Sequence, residues 1–119
     1  MYQQRVTIHP KSDSVGAART LLSARVKASQ ARGQQIALAE LIAGRHTPEF
    51  QVIALYPDLA AFEAQRKRNQ ADPAFQKFGA KLATLLRDPV GIDLFEVLVV
   101  MPGLQSSPAG GGARRKAKK

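Results

Sequence analysis

The sequence predicts a single α+β domain whose elements follow the order β-α-β-β-α-β. Two observations predict this fold. Four segments of strand length are either apolar throughout or alternate between apolar and polar residues. Two stretches with helical periodicity lie between the first and second of these segments and after the third. The length of 119 residues is that of one domain, and 45% apolar with 23% charged residues is typical of a globular protein.

The first strand and the first helix are predicted over residues 2–9 and 15–32. Apolar and polar residues alternate along the strand, and Pro10 ends it. The side chains of residues 12–14 (Ser-Asp-Ser) offer oxygens that can cap a helix N-terminus. Gly33 stands where a left-handed residue commonly ends a helix. One stripe of the helix is predicted to face the core, formed by Val15, Ala18, Leu22, Val26 and Ser29. The basic residues of the helix lie mostly off this stripe: Arg19, Arg25, Lys27 and Arg32.

The second and third strands are predicted over residues 36–44 and 50–56, both of which are apolar runs. The segment 44–48 joins them and contains a glycine and a proline, which favours a hairpin connection. The chain is therefore expected to reverse direction between these two strands.

The second helix is predicted to begin after Asp58, which can cap its N-terminus. Pro73 cannot lie inside an unbroken helix, because its ring removes a hydrogen bond and clashes with the preceding turn. Asp72 and Pro73 are therefore predicted to begin a second helical segment. A last strand is predicted over residues 92–101.

This order of elements is the split β-α-β arrangement of ferredoxin-like folds, a four-stranded antiparallel sheet with both helices on one face. A sheet face that meets water should carry polar residues at alternate positions. In residues 36–43, 50–56 and 94–100 both alternating sets are largely apolar. An apolar surface of this size is unusual on a soluble monomer, so we predict a homodimer whose two sheets pack face to face about a two-fold axis. A different protein covering the same face is the alternative.

The net charge of +9 is concentrated at the C-terminus. Residues 104–119 contain five basic residues and no acidic one, which leaves thirteen basic against nine acidic residues, a net charge of +4, in the rest of the chain. This division predicts a folded domain over residues 1–103 and a disordered basic tail over residues 104–119. The body gives no electrostatic argument for a nucleic-acid-binding fold. The tail has no aromatic residue to stack on bases, so we expect at most non-specific nucleic-acid binding through it.

Several classes of protein are disfavoured by what the sequence lacks. Without cysteine there is no disulfide and no thiolate site. No apolar run reaches the ~20 residues of a membrane span, and no signal peptide is visible, so we expect a cytoplasmic protein without membrane contact. No Gly-rich phosphate loop, nucleophile elbow or metal-binding helix motif occurs, and no cofactor is expected.

Three neighbouring segments carry a likeness to a known family. Residues 52–64 contain a strand ending in Tyr56 and an Asp-Leu-Ala helix start, residues 66–78 contain an Ala-Asp-Pro-Ala-Phe restart, and residues 81–86 continue the second helical segment. This combination resembles the NIPSNAP family, which belongs to the dimeric α+β barrels, a group that includes small monooxygenases. The resemblance implies that fold and dimerisation. It implies little about chemistry, because one fold serves many functions.

Five polar residues are candidates for lining a cavity: Arg5, His9, Glu40, Tyr56 and Glu96. Arg5, Glu40 and Glu96 interrupt strand faces that otherwise suit an apolar environment. Two interpretations stay open for them: an ion pair that fixes the dimer register, or a polar site in which a carboxylate with a raised pKa acts as a general base. Tyr56 can serve such a cavity as a hydrogen-bond donor. His9 and His46 do not have the spacing of a metal-binding pair.

Two functions follow from this architecture as leading hypotheses. One is a dimeric α+β barrel protein that binds a small apolar molecule between sheet and helices, and whether it is an enzyme stays open. The other is a non-catalytic dimerisation or interaction module with a filled interior. Weak nucleic-acid binding through the basic tail is a further alternative.

Overall fold

The computed structural model describes residues 1–45 and 47–99, which form one four-stranded antiparallel sheet and three helices. In chain order the elements are β1 (Tyr2–Ile8), α1 (Val15–Ala31), β2 (Ile36–Glu40), β3 (Phe50–Tyr56), α2 (Leu59–Ala71), α3 (Pro73–Ala83) and β4 (Gly91–Glu96). The strand order β2-β3-β1-β4 places β1 and β3 in the centre of the sheet. The predicted ferredoxin-like α+β fold is confirmed. The predicted tail over residues 104–119 and His46 lie outside the described residues.

The helix ends show which local signals the structure uses. The Asp58 carboxylate accepts a hydrogen bond from the Ala61 amide at 2.8 Å, as predicted for an N-cap. Asp72 accepts from the Ala74 amide at 2.9 Å with Pro73 at the first helical position, so the break between α2 and α3 is confirmed. Gly33 follows α1 with a φ of 87°, which is the left-handed conformation that glycine adopts most easily.

The predicted side-chain cap of α1 is not made. Ser14 is the N-cap residue, but its hydroxyl donates to the Asp13 carboxylate at 3.1 Å instead of accepting from a helix amide. Packing therefore holds this end of α1 in place. Its predicted stripe faces the interior, where the buried residues of the helix are Ala18, Leu22, Val26 and Ser29.

Two strands are shorter than their apolar runs. The second strand ends at Glu40 instead of residue 44, and beyond the Leu41 amide, which donates to the Glu49 carbonyl, the chain turns away and leaves Ile42 87% exposed. The last strand ends at Glu96 because its partner β1 begins there: Glu96 pairs with Tyr2. Strand length is thus set by the neighbouring strand and not by hydropathy alone.

The register assigns every strand residue to one of two faces. Partners such as Val6, Val52 and Ile92 share one face with the helices, which we call the covered face. The side chains of Arg5, Ile53 and their neighbours share the opposite one, which we call the open face. The core lies on the covered face towards the end where β1 finishes and β3 begins, and consists of Ile8, Ala18, Leu22, Phe50 and Leu82.

Candidate functional site

A chamber of about 620 Å³ lies between the covered face and the helices α1 and α3. The sheet forms its floor and the two helices form its roof. Most of the side chains that line it are apolar, among them Val6, Ile8, Leu22, Val26, Ile36, Val52, Ala54, Phe75, Phe78, Leu82, Leu86 and Ile92. The helices therefore do not fill the space over the sheet, and an apolar interior volume remains.

The chamber reaches solvent beside β4. Ile92 lines it and is 64% exposed, and Leu94 on the same face is also exposed. Every residue of β4 is exposed, because α1 and α3 pack over the other strands and leave this edge uncovered. The chamber is therefore open to solvent along β4.

Most of the polar side chains of the chamber lie at one end, whereas Arg87 and Asp88, which pair at 3.0 Å, line the opposite end. Gln4 pairs with Ala54 in the sheet register, and Tyr56 ends β3 two residues further on, so both lie away from the Phe50 core. More polar residues reach this end from α1, from the segment that follows it and from α2. They are Arg25 and Ser29 of α1, Gln34 between α1 and β2, and Asn69 of α2.

Tyr56 places a buried phenol group at the polar end of the chamber. Its ring packs edge-on against Phe62 at 5.4 Å between centroids, and Gln34 Nε2 donates to its hydroxyl oxygen at 3.5 Å. Burial raises the pKa of Tyr56 above 10.0, although the hydrogen bond from Gln34 and the charge of Arg68 oppose the shift. The phenol therefore stays protonated over a wide pH range and can donate a hydrogen bond.

Arg25 brings a positive charge to the same end. Its side chain is only 14% exposed, and its Cζ atom lies 4.9 Å from the centroid of the Phe75 ring and 5.9 Å from that of Phe78. The nearest carboxylate is that of Asp72, at 3.9 Å. The guanidinium is thus held against aromatic rings inside a largely apolar wall.

Sequence reasoning missed Arg25, because it placed the basic residues of α1 mostly off the stripe that faces the core. A signal was present: Arg25 lies three residues after Leu22 and four before Ser29, both on the predicted stripe. The aromatic residues that draw it inwards belong to α3, and a periodicity argument restricted to α1 does not include them.

A polar groove of about 760 Å³ adjoins the chamber. Gln34, Tyr56 and Asn69 line both spaces, so these three side chains form the boundary between them. The groove is open to solvent and borders the ends of α1 and β3, with Arg32 and Arg68 on its rim.

The five candidate residues do not form one site, although Tyr56 lines the chamber. Arg5 lies exposed on the open face, where its guanidinium stacks over the Phe95 ring at 5.0 Å. Glu40 accepts hydrogen bonds from Arg19 at 2.9 and 2.8 Å near the surface, which lowers the pKa of its carboxyl group. Glu96 faces the covered side opposite Tyr2 but is exposed at the end of the edge strand.

His9 lies in a separate cluster at the opposite end of β1. Its Nε2 is 2.9 Å from the Glu49 carboxylate, and its Nδ1 is 4.0 Å from that of Asp88. Gln51 Nε2 donates to the other Glu49 oxygen at 3.2 Å. This cluster ties the end of β1 to the start of β3 and to the segment before β4.

Two kinds of site have no basis in residues 1–45 and 47–99. No group of three or more His, Cys, Asp or Glu side chains there is arranged to hold a metal ion. No helix among these residues combines the length and apolarity that crossing a membrane requires.

Solved structures with the same fold include proteins of two named kinds. A NIPSNAP domain protein from Burkholderia xenovorans is 16% identical, with a TM-score of 0.71 over 86% of this chain and 99% of that one. An antibiotic biosynthesis monooxygenase is 15% identical, with a TM-score of 0.64 over 83% and 100%. Protein Rv0793 from Mycobacterium tuberculosis is 22% identical, with a TM-score of 0.67 over 83% and 96%.

These similarities confirm the NIPSNAP-like α+β fold that residues 50–88 predict. No protein-family model matches the sequence, and no curated protein does. The chain is therefore placed by fold among NIPSNAP-like and antibiotic biosynthesis monooxygenase-like proteins, and its function has to be argued from the chamber.

Proposed function

We propose that the protein binds a small, largely apolar molecule in the chamber between sheet and helices. The observation that carries the proposal is the chamber itself: about 620 Å³, mostly apolar walls, and most of its polar groups at one end, while Arg87 and Asp88 at the other end pair with each other. Ligand pockets in proteins have this size and composition, since apolar walls supply affinity and a few placed polar groups fix orientation. The exposed Ile92 beside β4 provides access.

The test places a side chain in the chamber without disturbing its walls. Gly79 of α3 lines the chamber, and a Cβ atom there meets no atom within 4 Å. Gly79→Leu should fill part of the volume and also improve the helix, by about 1 kcal/mol. We expect the wild-type protein to bind the neutral fluorescent dye Nile red. Gly79→Leu should bind the dye at least about tenfold more weakly, because the added side chain occupies space that the dye needs. A tenfold loss of affinity corresponds to about 1.4 kcal/mol of binding free energy.

The matched control is Gly16→Leu. Gly16 is also a helical glycine with no atom within 4 Å of an added Cβ, but it lies at the exposed start of α1. Its variant should bind the dye as the wild type does. Equal dye binding by Gly79→Leu and the wild type, or no binding by the wild type, would contradict the proposal and leave the dimerisation module as the better hypothesis.

The proposal includes a homodimer formed through the open face. Apolar side chains cover much of this face, while Arg5 and Asp93 lie opposite each other within it. The apolar residues are Ala37, Ala39, Ile53, Leu55 and Phe95. A second copy of the sheet would bury them symmetrically, and the NIPSNAP resemblance supports the same assembly. Light scattering over a dilution series should give the mass of two chains, and a monomer at all concentrations would refute the dimer.

A further inference from the structure

The geometry points to an anion-binding subsite at the polar end of the chamber, formed by Arg25 and Ser29 of α1, and to a ligand that combines a compact apolar body with a carboxylate group. This inference rests on the proposed function, because the subsite belongs to the same chamber. It adds the chemical class of the ligand, which the apolar walls alone do not specify.

Arg25 carries donors that the described part of the protein leaves unused. A guanidinium has five N–H donors, and burying it without acceptors is unfavourable. The 3.9 Å between Arg25 and Asp72 exceeds hydrogen-bonding distance, and the Arg25 guanidinium donates no hydrogen bond to any acceptor within residues 1–45 and 47–99. Asp72 is also shared with Arg32, at the same 3.9 Å. An acceptor from a ligand would therefore satisfy donors that lie inside the chamber wall.

The aromatic contacts suit this role. Phe75 and Phe78 hold the guanidinium in place, with Cζ at 4.9 and 5.9 Å from their ring centroids. Stacking occupies the faces of a guanidinium and keeps its in-plane donors available, which is the arrangement that binds a carboxylate through two parallel hydrogen bonds. Arg25 is thus fixed before any ligand arrives, and little side-chain entropy is lost on binding.

Ser29 gives an independent observation. Its residue is 4% exposed and lines the chamber, yet its hydroxyl has no hydrogen-bond partner among the residues that the structure describes. Buried hydroxyls are normally paired, so an unpaired one at a cavity wall indicates a ligand partner. Ser29 follows Arg25 by four residues, which places both side chains on the same face of α1. A carboxylate bound by Arg25 would lie within reach of this hydroxyl.

The rest of the chamber defines the body of the ligand. From Arg25 the apolar wall continues past Val52 and Leu82 to the opening at Ile92. A volume of about 620 Å³ accommodates a molecule with two fused rings or a short acyl chain. The carboxylate would lie at the polar end, beside Arg25, and the apolar body would extend towards β4.

The experiment compares two probes of the same shape, 2-naphthoate and the neutral 2-naphthalenemethanol, by isothermal titration calorimetry at neutral pH. We expect the wild type to bind naphthoate at least about tenfold more tightly, since charge-assisted bonds exceed neutral ones. Arg25→Gln should remove this preference while changing the affinity for the alcohol by less than about threefold, a difference of under 1 kcal/mol.

Arg32→Gln is the matched control. It removes the same charge and the same 3.9 Å contact with Asp72, but its side chain is 60% exposed and lies outside the chamber lining. Solvent screens a charge at such a position, so the preference for naphthoate should persist. Ser29→Ala should weaken naphthoate binding by a smaller factor, about threefold to tenfold, the cost of one hydrogen bond.

The outcomes separate the two proposals. If both probes bind equally and Gly79→Leu weakens both, the chamber binds ligands and the anion subsite is refuted. If neither probe binds, the proposed function itself fails. If circular dichroism shows that Arg25→Gln is unfolded, the variant Asp72→Asn provides the test instead. Asparagine can still cap α3, but it removes the carboxylate that competes with a ligand for Arg25. The affinity for naphthoate should therefore rise, and an unchanged affinity would refute the subsite.

Discussion

Both faces of the sheet carry apolar side chains, but the covered face has more of them and buries them better. On the covered face Phe50 and Ile8 are each 1% exposed and pack under α1, whereas Phe95 on the open face is 46% exposed. The covered face is buried only in part by its helices, which leaves the chamber. The open face has none of the three helices over it. Apolar composition alone therefore does not decide whether a sheet face is buried within the chain, since the position of the helices also decides it.

The largest effect should come from shortening the two phenylalanines. Phe50→Ala removes a fully buried ring from the core and should lower the free energy of unfolding by about 3–5 kcal/mol. Phe95→Ala should cost less than about 1 kcal/mol in the monomer, because its ring is already half exposed. Urea denaturation at low protein concentration measures both. Equal losses for the two variants would mean that the open face is part of a monomeric core.

A second cation at the centre of the open face should break the proposed dimer. Ile53 pairs with Arg5 and Ala37 in the register, and Ile53→Lys would place an ammonium group beside the Arg5 guanidinium between the two sheets. We expect the dissociation constant to rise by at least about 100-fold, since an ill-paired buried charge costs several kcal/mol. Sedimentation velocity gives the constant. Leu59→Lys is the control: Leu59 is 49% exposed at the start of α2, away from the sheet, and its variant should associate as the wild type does.

A smaller effect is expected at alkaline pH on the covered face. Because burial raises the pKa of Tyr56, its contribution to stability is complete below pH 10.0 and is lost as the pH rises through the raised value. Thermal unfolding on either side of pH 10.0 should show a loss of stability in the wild type. Tyr56→Phe should show less of this loss. Identical pH dependence in the two proteins would contradict the burial of Tyr56.

The smallest effect concerns the ion pair at the rim of the covered face. Hydrogen bonding to Arg19 lowers the pKa of Glu40, so the stabilisation exists above pH 4.5 and is lost as the pH falls through the lowered value. Arg19→Gln should return the pKa of Glu40 towards 4.5 in a carbon-detected NMR titration. Arg66→Gln, which removes an arginine paired with Glu63 on α2, should leave the Glu40 titration unchanged. A Glu40 pKa that is insensitive to Arg19→Gln would refute the pair in solution.

The order of elements was predictable because local signals mark it. Asp58, Asp72 and Gly33 each act through neighbours within three residues, so the sequence contains their whole effect. Strand ends were not predictable from hydropathy. Residues 41–43 are apolar but stand beyond the last paired residue Glu40, because pairing depends on where the partner strand begins.

The chamber was predictable only in outline. Tyr56 was chosen because it ends a strand, and the structure places it on the chamber wall. Arg5 and Glu40 were chosen because they interrupt apolar faces, yet one is on the open face and the other pairs with Arg19 at the rim. Arg25 depends on rings from α3 that are fifty residues away in sequence, and only tertiary packing brings them together.

The uncovered edge strand has a consequence for kinetics. β4 is hydrogen-bonded to β1 alone, and each of its six residues is exposed, so few contacts oppose its separation from the sheet. We expect its amides to exchange with deuterium sooner than those of β3, which has a strand on both sides. Since Ile92 also lines the chamber, the same opening would set the residence time of a bound molecule. The lifetime of the complex would then depend on the local stability of one strand.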